Sequence, residues 1–222
     1  MTMSRACIFD LDGTLTDTLE SLTYSVNETL REMHLSRITK EQCRAYVGNG
    51  ARVLVQKSLM AAGDPEASRI DEGMEIYGRV FDENCTRLVE PYEGIRDLLA
   101  ELKEEGIRLA VLSNKPHRQT VRVVETVFGT DVFDLIQGQK EGVPRKPDPS
   151  AALMIAEELG AGCKETVYIG DSEVDIATGK AAGMKTIGVS WGFRGREGLK
   201  EAGADLIADS AGELKNMIQT DK

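Results

Sequence analysis

Asp10 and Asp12 stand two residues apart at the end of the apolar run Ala6–Phe9, and Gly13 follows to permit a tight backbone. Ser113 ends a second apolar run, Arg108–Leu112, with Asn114 behind it. Asp171 ends a third, Thr166–Ile169, after Gly170, and Lys146 sits before Pro147 in a loop that leads to a helix. Ligands of open parallel sheets bind outside the carboxyl ends of the strands, so one cleft can gather Asp10, Asp12, Ser113, Lys146 and Asp171. Two facing carboxylates, Asp10 and Asp171, cannot both ionise freely without a cation, and their hard oxygen donors suit Mg²⁺. With the metal bound, Asp10 stays ionised and is fit to attack phosphorus. Asp12 keeps its side chain for proton transfer if only its main-chain carbonyl is a metal ligand. Ser113 and the amide of Asn114 are donors for phosphoryl oxygens, and Lys146 is a point charge for the same oxygens. The chemistry indicated is covalent catalysis by a carboxylate, with electrostatic stabilisation of the transferred group.

Strands must hold these residues. From about Glu90 onward, short apolar runs alternate with amphipathic helices. The predicted strands are Arg108–Leu112, Leu135–Gln137, Thr166–Ile169, Thr186–Val189 and, more weakly, Asp205–Ala208. One helix carries Ile95, Leu98, Leu99 and Leu102 and stops at Gly106. Another opens at Pro149, with Ala152, Leu153, Ala156 and Leu159 on one side, and a third spans Glu173–Ala182. This alternation predicts an α/β fold with a parallel sheet and right-handed crossovers. The strand Ala6–Phe9 stands apart, because a long helical stretch follows it: Leu19, Leu22, Val26 and Leu30 on one helix, then Lys40–Val47, Ala51–Met60 and Glu66–Phe81. The expected organisation is a sheet core of residues 1–15 and 89–222 with a helical cap inserted at 16–88, and Pro91 marks the return.

The run Asp10-Leu11-Asp12-Gly13-Thr14-Leu15-Thr16-Asp17 resembles the first motif of the haloacid dehalogenase superfamily in its phosphatase form. Ser113-Asn114-Lys115 resembles the second motif, Lys146-Pro147 the third, and Gly170-Asp171-Ser172 with Asp175 the fourth. Order and spacing agree over nearly the whole chain. The resemblance implies a Rossmann-like core with a helical cap, Asp10 as nucleophile and Asp12 as acid/base. It also implies Mg²⁺ held by Asp10, the Asp12 carbonyl and Asp171, with Asp175 either near the metal or positioning Lys146. Within the superfamily, Gly48-Asn49-Gly50-Ala51, Pro91-Tyr92 with Gly94, and Ser113-Asn114-Lys115-Pro116 are similar to the phosphoglycolate phosphatase group. The implied reaction is hydrolysis of a small phosphate monoester, 2-phosphoglycolate among the candidates, through an aspartyl-phosphate. Pyrophosphatase, nucleotidase and phosphomutase activities belong to the same superfamily. A catalytically inactive binding module on the same fold is the non-enzymatic alternative, and intact Asp10, Asp12, Lys146 and Asp171 argue against it.

Other residues carry two readings each. Gly48-Asn49-Gly50 is either a turn between cap helices or a loop over the substrate, with Arg52 close enough to meet a substrate anion. Lys115 and Arg118 lie on a solvated face or in the cleft. His34 reads as a surface residue, and His117 as a rim residue without a catalytic role. Trp191 and Phe193 read as packing residues. The four cysteines, Cys7, Cys43, Cys85 and Cys163, are scattered without a C-x-x-C pair, which argues against a zinc site and a disulfide framework. A net charge of −10 disfavours nucleic acid as a partner and requires local positive charge for an anionic substrate. No run reaches the length of a membrane span, and Met1–Arg5 lacks the pattern of a signal peptide, so the expected compartment is the cytoplasm. The partner expected is a small phosphorylated metabolite, and the state is a monomer or a homodimer.

Overall fold

A central strand of four fully buried residues, β1 (Ala6–Phe9), organises the computed structural model, which describes residues 4–220. Met1–Met3, the start of the segment Met1–Arg5 that lacks the pattern of a signal peptide, lie outside the described residues. Both neighbours of β1 are parallel to it: β4 (Arg108–Pro116) pairs Val111 with Phe9, and β6 (Thr166–Gly170) pairs Ile169 with Phe9. With β5 (Leu135–Gln139), β7 (Lys185–Val189) and β8 (Leu206–Ala208), the six-stranded parallel sheet runs β5-β4-β1-β6-β7-β8. Alternate residues of β1 serve opposite faces. Cys7 and Phe9 join the large cluster that includes Leu98, Leu102, Val123 and Leu214. Ala6 and Ile8 join the smaller one with Ala152, Ile155 and Ala156. A strand covered on both faces must be apolar throughout, and this one is.

Helices α5 (Ile95–Glu104), α6 (His117–Phe128) and α10 (Ala211–Gln219) contribute to the first face, and α7 (Ser150–Glu158) to the second. Helices α8 (Glu173–Ala181) and α9 (Gly195–Glu201) follow β6 and β7. Between β1 and β4 the chain builds α1 (Leu19–Glu32), α2 (Lys40–Tyr46), α3 (Ala51–Ala62) and α4 (Ile70–Asn84). Leu19, Leu22, Val26 and Leu30 form the buried stripe of α1, at the helical spacing the sequence displays. The excursion is tied at its base by two strands too short to show a pattern: β2 (Thr16–Asp17) pairs antiparallel with β3 (Glu90–Pro91).

The structure moves several predicted boundaries. Helix α4 begins at Ile70 rather than Glu66. The Asp64 carboxylate accepts from the Ser68 and Arg69 amides and the Ser68 hydroxyl, turning the chain first, and Ala67 takes φ 46°. The same helix runs on to Asn84. Strand β4 continues past Leu112 to Pro116, with its register against β5 broken between those residues, so Ser113 lies inside the strand. On α7 the buried face is Ala151, Ala152, Ile155 and Ala156, and Leu153 faces outward. All four cysteines are free, with Cys7, Cys43 and Cys85 buried. Among the described residues, no helix is long and apolar enough to cross a membrane.

Candidate active site

After β1 the chain leaves toward β4, and after β6 it leaves toward β7. The carboxyl ends of β1 and β6 therefore flank a topological switch point, where a crevice opens in a parallel sheet. Asp10 follows β1 there, and Asp171 follows β6. The turn after Asp10 is wound tightly on one carbonyl: the amides of Thr14, Leu15 and Thr16 all donate to Leu11 O. Gly13 sits in it at φ 90°. A Cβ at that position would lie 2.4 Å from Asp171 Oδ2, so only glycine lets the two strand ends close together.

Lys146 is the hub of the floor. Its ammonium donates to Asp10 Oδ1 at 2.7 Å, to Asp175 Oδ1 at 2.7 Å and to the Leu112 carbonyl at 3.0 Å, which uses all three protons. The loop that carries it is pinned by Asn114. The Asn114 side chain accepts from the Lys146 amide at 3.0 Å and donates to the Lys146 carbonyl at 3.1 Å. Asp175 is fixed at the start of α8, where its Oδ2 accepts from the Ser172 hydroxyl at 2.6 Å and amide at 3.2 Å. Asp171 Oδ2 accepts from the Phe193 amide at 2.6 Å. Lys115 Nζ lies 2.7 Å from Asp12 Oδ1, and both side chains are largely buried.

Charge is unbalanced at this floor. Asp10, Asp171 and Asp175 place ligand oxygens within 4.8 Å of one another, all buried, around the single ammonium of Lys146. Burial, with Asp175 and Asp12 nearby and Lys146 in opposition, pushes the Asp10 carboxyl up to about 7. Burial together with Asp175 and Asp10 raises Asp171 well above the ordinary carboxylate range. Burial works against the Lys146 charge, yet Asp10 and Asp175 hold its ammonium well above the ordinary lysine value. One Asp10 oxygen and one Asp171 oxygen accept no hydrogen bond among the described residues, so both are positioned to meet a cation.

A cavity of about 50 Å³ covers this floor. Asp10, Asp12, Ser113, Asn114, Lys115, Lys146, Asp171 and Asp175 all line it, and so do Gly48 and Gly50 from the helical excursion between β1 and β4. Asn49 and Arg52 do not. The Asn49 carbonyl accepts from Arg145, and Arg52 turns outward to an exposed pair with Asp71 at 2.9 Å. The Asn114 side-chain amide is occupied by the Lys146 and Gly48 carbonyls, so it is not a spare donor for a ligand. Lys115 is not on a solvated face. Arg118 is, paired with Asp82. His117 lies outside the cavity, where its Nδ1 accepts from the Gly138 amide. Trp191 donates to the Thr14 carbonyl and packs on Tyr92, whereas Phe193 enters the cavity wall, against the packing role expected of it. Ser172, Phe193 and Arg194 are wall residues that the sequence reading did not select. The strand-end rule applied to β7, whose carboxyl end leads into Trp191–Arg194, points to the last two.

Comparison with known proteins places this geometry. A family model described as haloacid dehalogenase-like hydrolase matches residues 7–189. The chain is 31% identical over 219 residues to the phosphoglycolate phosphatase of Haemophilus influenzae, covering 95% of this chain and 96% of that one. A crystal structure of a provisionally named phosphoglycolate phosphatase from Lactobacillus delbrueckii superposes with a TM-score of 0.90 at 33% identity, over the full length of both chains. CbbY from Rhodobacter sphaeroides, solved with phosphate bound, superposes with a TM-score of 0.80 at 28% identity over 96% of each chain. This chain belongs to the haloacid dehalogenase-like hydrolase family, among its phosphatases.

Proposed function

We propose that the chain is a Mg²⁺-dependent phosphatase of small phosphate monoesters, with 2-phosphoglycolate the first substrate to try, working through a phosphoryl group carried on Asp10. The observation that carries the reading is the buried cluster at the switch point: three carboxylates and one ammonium, at the floor of a cavity lined on its other side by apolar helix residues. The names of the matched relatives support the choice of substrate.

The donor set fits magnesium, since it offers only hard oxygens and carries excess negative charge. Asp10, Asp171 and the Asp12 carbonyl would hold the ion, and Asp175 braces Lys146. When bound, the ion lends Lewis acidity toward the phosphoryl oxygens. The rest belongs to the protein. An Asp10 oxygen attacks phosphorus and the P–O ester bond breaks. Asp12 protonates the departing oxygen, then takes a proton from the water that attacks the aspartyl-phosphate. Inorganic phosphate leaves and Asp10 is restored. Because Asp12 rests on the Lys115 ammonium, delivery of a proton requires that it be protonated and turn from Lys115 to the ester oxygen. Ser113 Oγ and the Asn114 amide face the phosphoryl oxygens, and Lys146 keeps Asp10 aimed. Residues 16–88 act as a cap over residues 1–15 and 89–222.

The test is phosphate release with Mg²⁺ from 2-phosphoglycolate, pyrophosphate, nucleotides and hexose phosphates, with mass-spectrometric detection of a phosphoryl adduct on Asp10. Hydrolysis lost in chelator and restored by Mg²⁺, with calcium inhibitory, supports the reading. Full turnover in excess chelator, or no release from any ester, overturns it.

A further inference from the structure

The glycine-flanked segment between α2 and α3 makes a specific contact that substrate reading does not explain. Three of its main-chain carbonyls, and that of Arg44 in the last turn of α2, accept from side chains of the core. Arg194 donates to Arg44 O at 3.1 Å and to Val47 O at 2.6 Å. Asn114 donates to Gly48 O at 3.1 Å, and Arg145 to Asn49 O at 3.2 Å. Arg194 is itself held by Glu173 at 3.0 Å. A guanidinium suits this place: it has several donors in one plane, and its charge meets carbonyls at the C-terminal end of α2. The glycines make room for it. Gly48, at φ 119°, would put a Cβ 3.3 Å from Arg194 Nη2, and Gly50, at φ 86°, would put one 2.9 Å from Arg145 Nη1. Another set of cap–core polar contacts lies toward the end of α4, where Gln119, Arg118 and Arg122 meet Asp82, near the return strand β3.

We propose that Arg194 is a positioning residue that latches the cap over the active site, with Gly48–Gly50 as its docking strip. Arg194 follows Phe193, whose amide holds Asp171. One short loop thus sets both the Asp171 carboxylate and the end of α2. The latch stabilises the closed arrangement, in which Val47, Ala51 and Leu54 face the floor across the cavity. When only a fraction of the protein is in the binding-competent form, apparent affinity falls by that fraction, while a saturating ligand restores the closed form. Loss of the latch therefore acts on KM more than on kcat.

The experiment compares Arg194→Ala and Arg194→Lys with the parent, by hydrogen exchange at the amides of residues 47–54 and by steady-state kinetics on an alkyl phosphate. Arg194→Ala is expected to speed exchange on that strip while leaving β1, β4 and β6 unchanged. It should raise KM about tenfold with kcat held within about threefold, and Arg194→Lys should fall between. Inorganic phosphate should slow the exchange again. Unchanged exchange in Arg194→Ala, or a loss confined to kcat, overturns the proposal. If Arg194→Ala does not fold, Arg145→Ala and Gly50→Ala probe the same strip, and the absence of faster exchange in both overturns it as well. The exchange arm needs no turnover, so it succeeds or fails separately from the phosphatase reading, on which only the kinetic arm rests.

Discussion

The floor and the ceiling of the cavity are built on opposite principles. On the floor, Asp10, Asp171, Asp175 and Lys146 are buried, charged and tied to one another or to main-chain groups. On the ceiling stand Leu22, Val47, Leu54, Tyr77 and Phe81, with Tyr77 and Phe81 stacked at 5.1 Å between ring centroids. The two meet where Lys115 Nζ, paired with Asp12, lies 4.9 Å from the centre of the Phe81 ring. The contrast teaches a division of labour. Charge must be placed in advance where charge develops, which demands locked side chains on strand ends. Exclusion of water needs only shape and apolar surface, which the helices between β1 and β4 supply.

The deepest break in the comparison is Asp10→Asn. If the floor alone carries the chemistry, phosphate release should fall by about 10⁴-fold or more while the ceiling stays intact, with no phosphoryl adduct detected. Residual turnover within tenfold would locate the nucleophile elsewhere.

Asp12→Ala sharpens the boundary between the two regions. A glycolate-like alkoxide needs a proton to leave and a nitrophenolate does not. The first step should therefore slow by about 10²- to 10⁴-fold for an alkyl phosphate and far less for an aryl phosphate. Rapid quench with aryl phosphate should show a burst of one phenolate per enzyme followed by slow turnover. Equal losses on both esters with no burst would remove Asp12 as the proton carrier.

Lys146→Met leaves Asp10 and Asp175 buried without their cation. Destabilisation of about 3–5 kcal/mol in urea, measured in chelator, is the expected cost of an uncompensated buried charge. A variant as stable as the parent would mean that the floor is not held by this ion pair.

Protons give a milder probe. The Asp10 carboxyl sits at about 7 in the folded chain against an ordinary 3.8. Between those values the metal-free fold binds more protons than the unfolded chain, so its stability should fall as pH rises from about 4 to about 7. The raised Asp171 adds in the same direction. Unfolding in chelator should lose on the order of 4 kcal/mol across that window, and Mg²⁺ should flatten the slope. A slope that Mg²⁺ does not alter would count against the floor as the cation site.

The smallest effect is reserved for Arg52→Ala. Arg52 pairs with Asp71 on an exposed face and does not line the ceiling, so kcat/KM should change by less than about twofold and the ranking of substrates should hold. A reordered ranking would bring Arg52 back to the substrate.

What the sequence held by itself was the pair at the centre of the floor. Asp10 and Asp171 follow short apolar runs that read as buried strands, and the strand-end rule brings them together with Ser113, whereas Lys146, in a loop, and Asp175, at a helix start, were legible through their motifs. The stripe of α1 was legible too, since local periodicity needs no partner. Two-residue strands such as β2 and β3 have no period to read, and the start of α4 depended on the side chain of Asp64. Tertiary structure alone decided which way long side chains turn. Arg52 and Arg194 carry the same group. Yet one lies on the outer surface against Asp71, and the other reaches the carbonyls of Arg44 and Val47, some 150 residues away in the chain. A guanidinium settles where uncommitted acceptors converge, and that convergence exists only once α2 is packed beside the loop after β7.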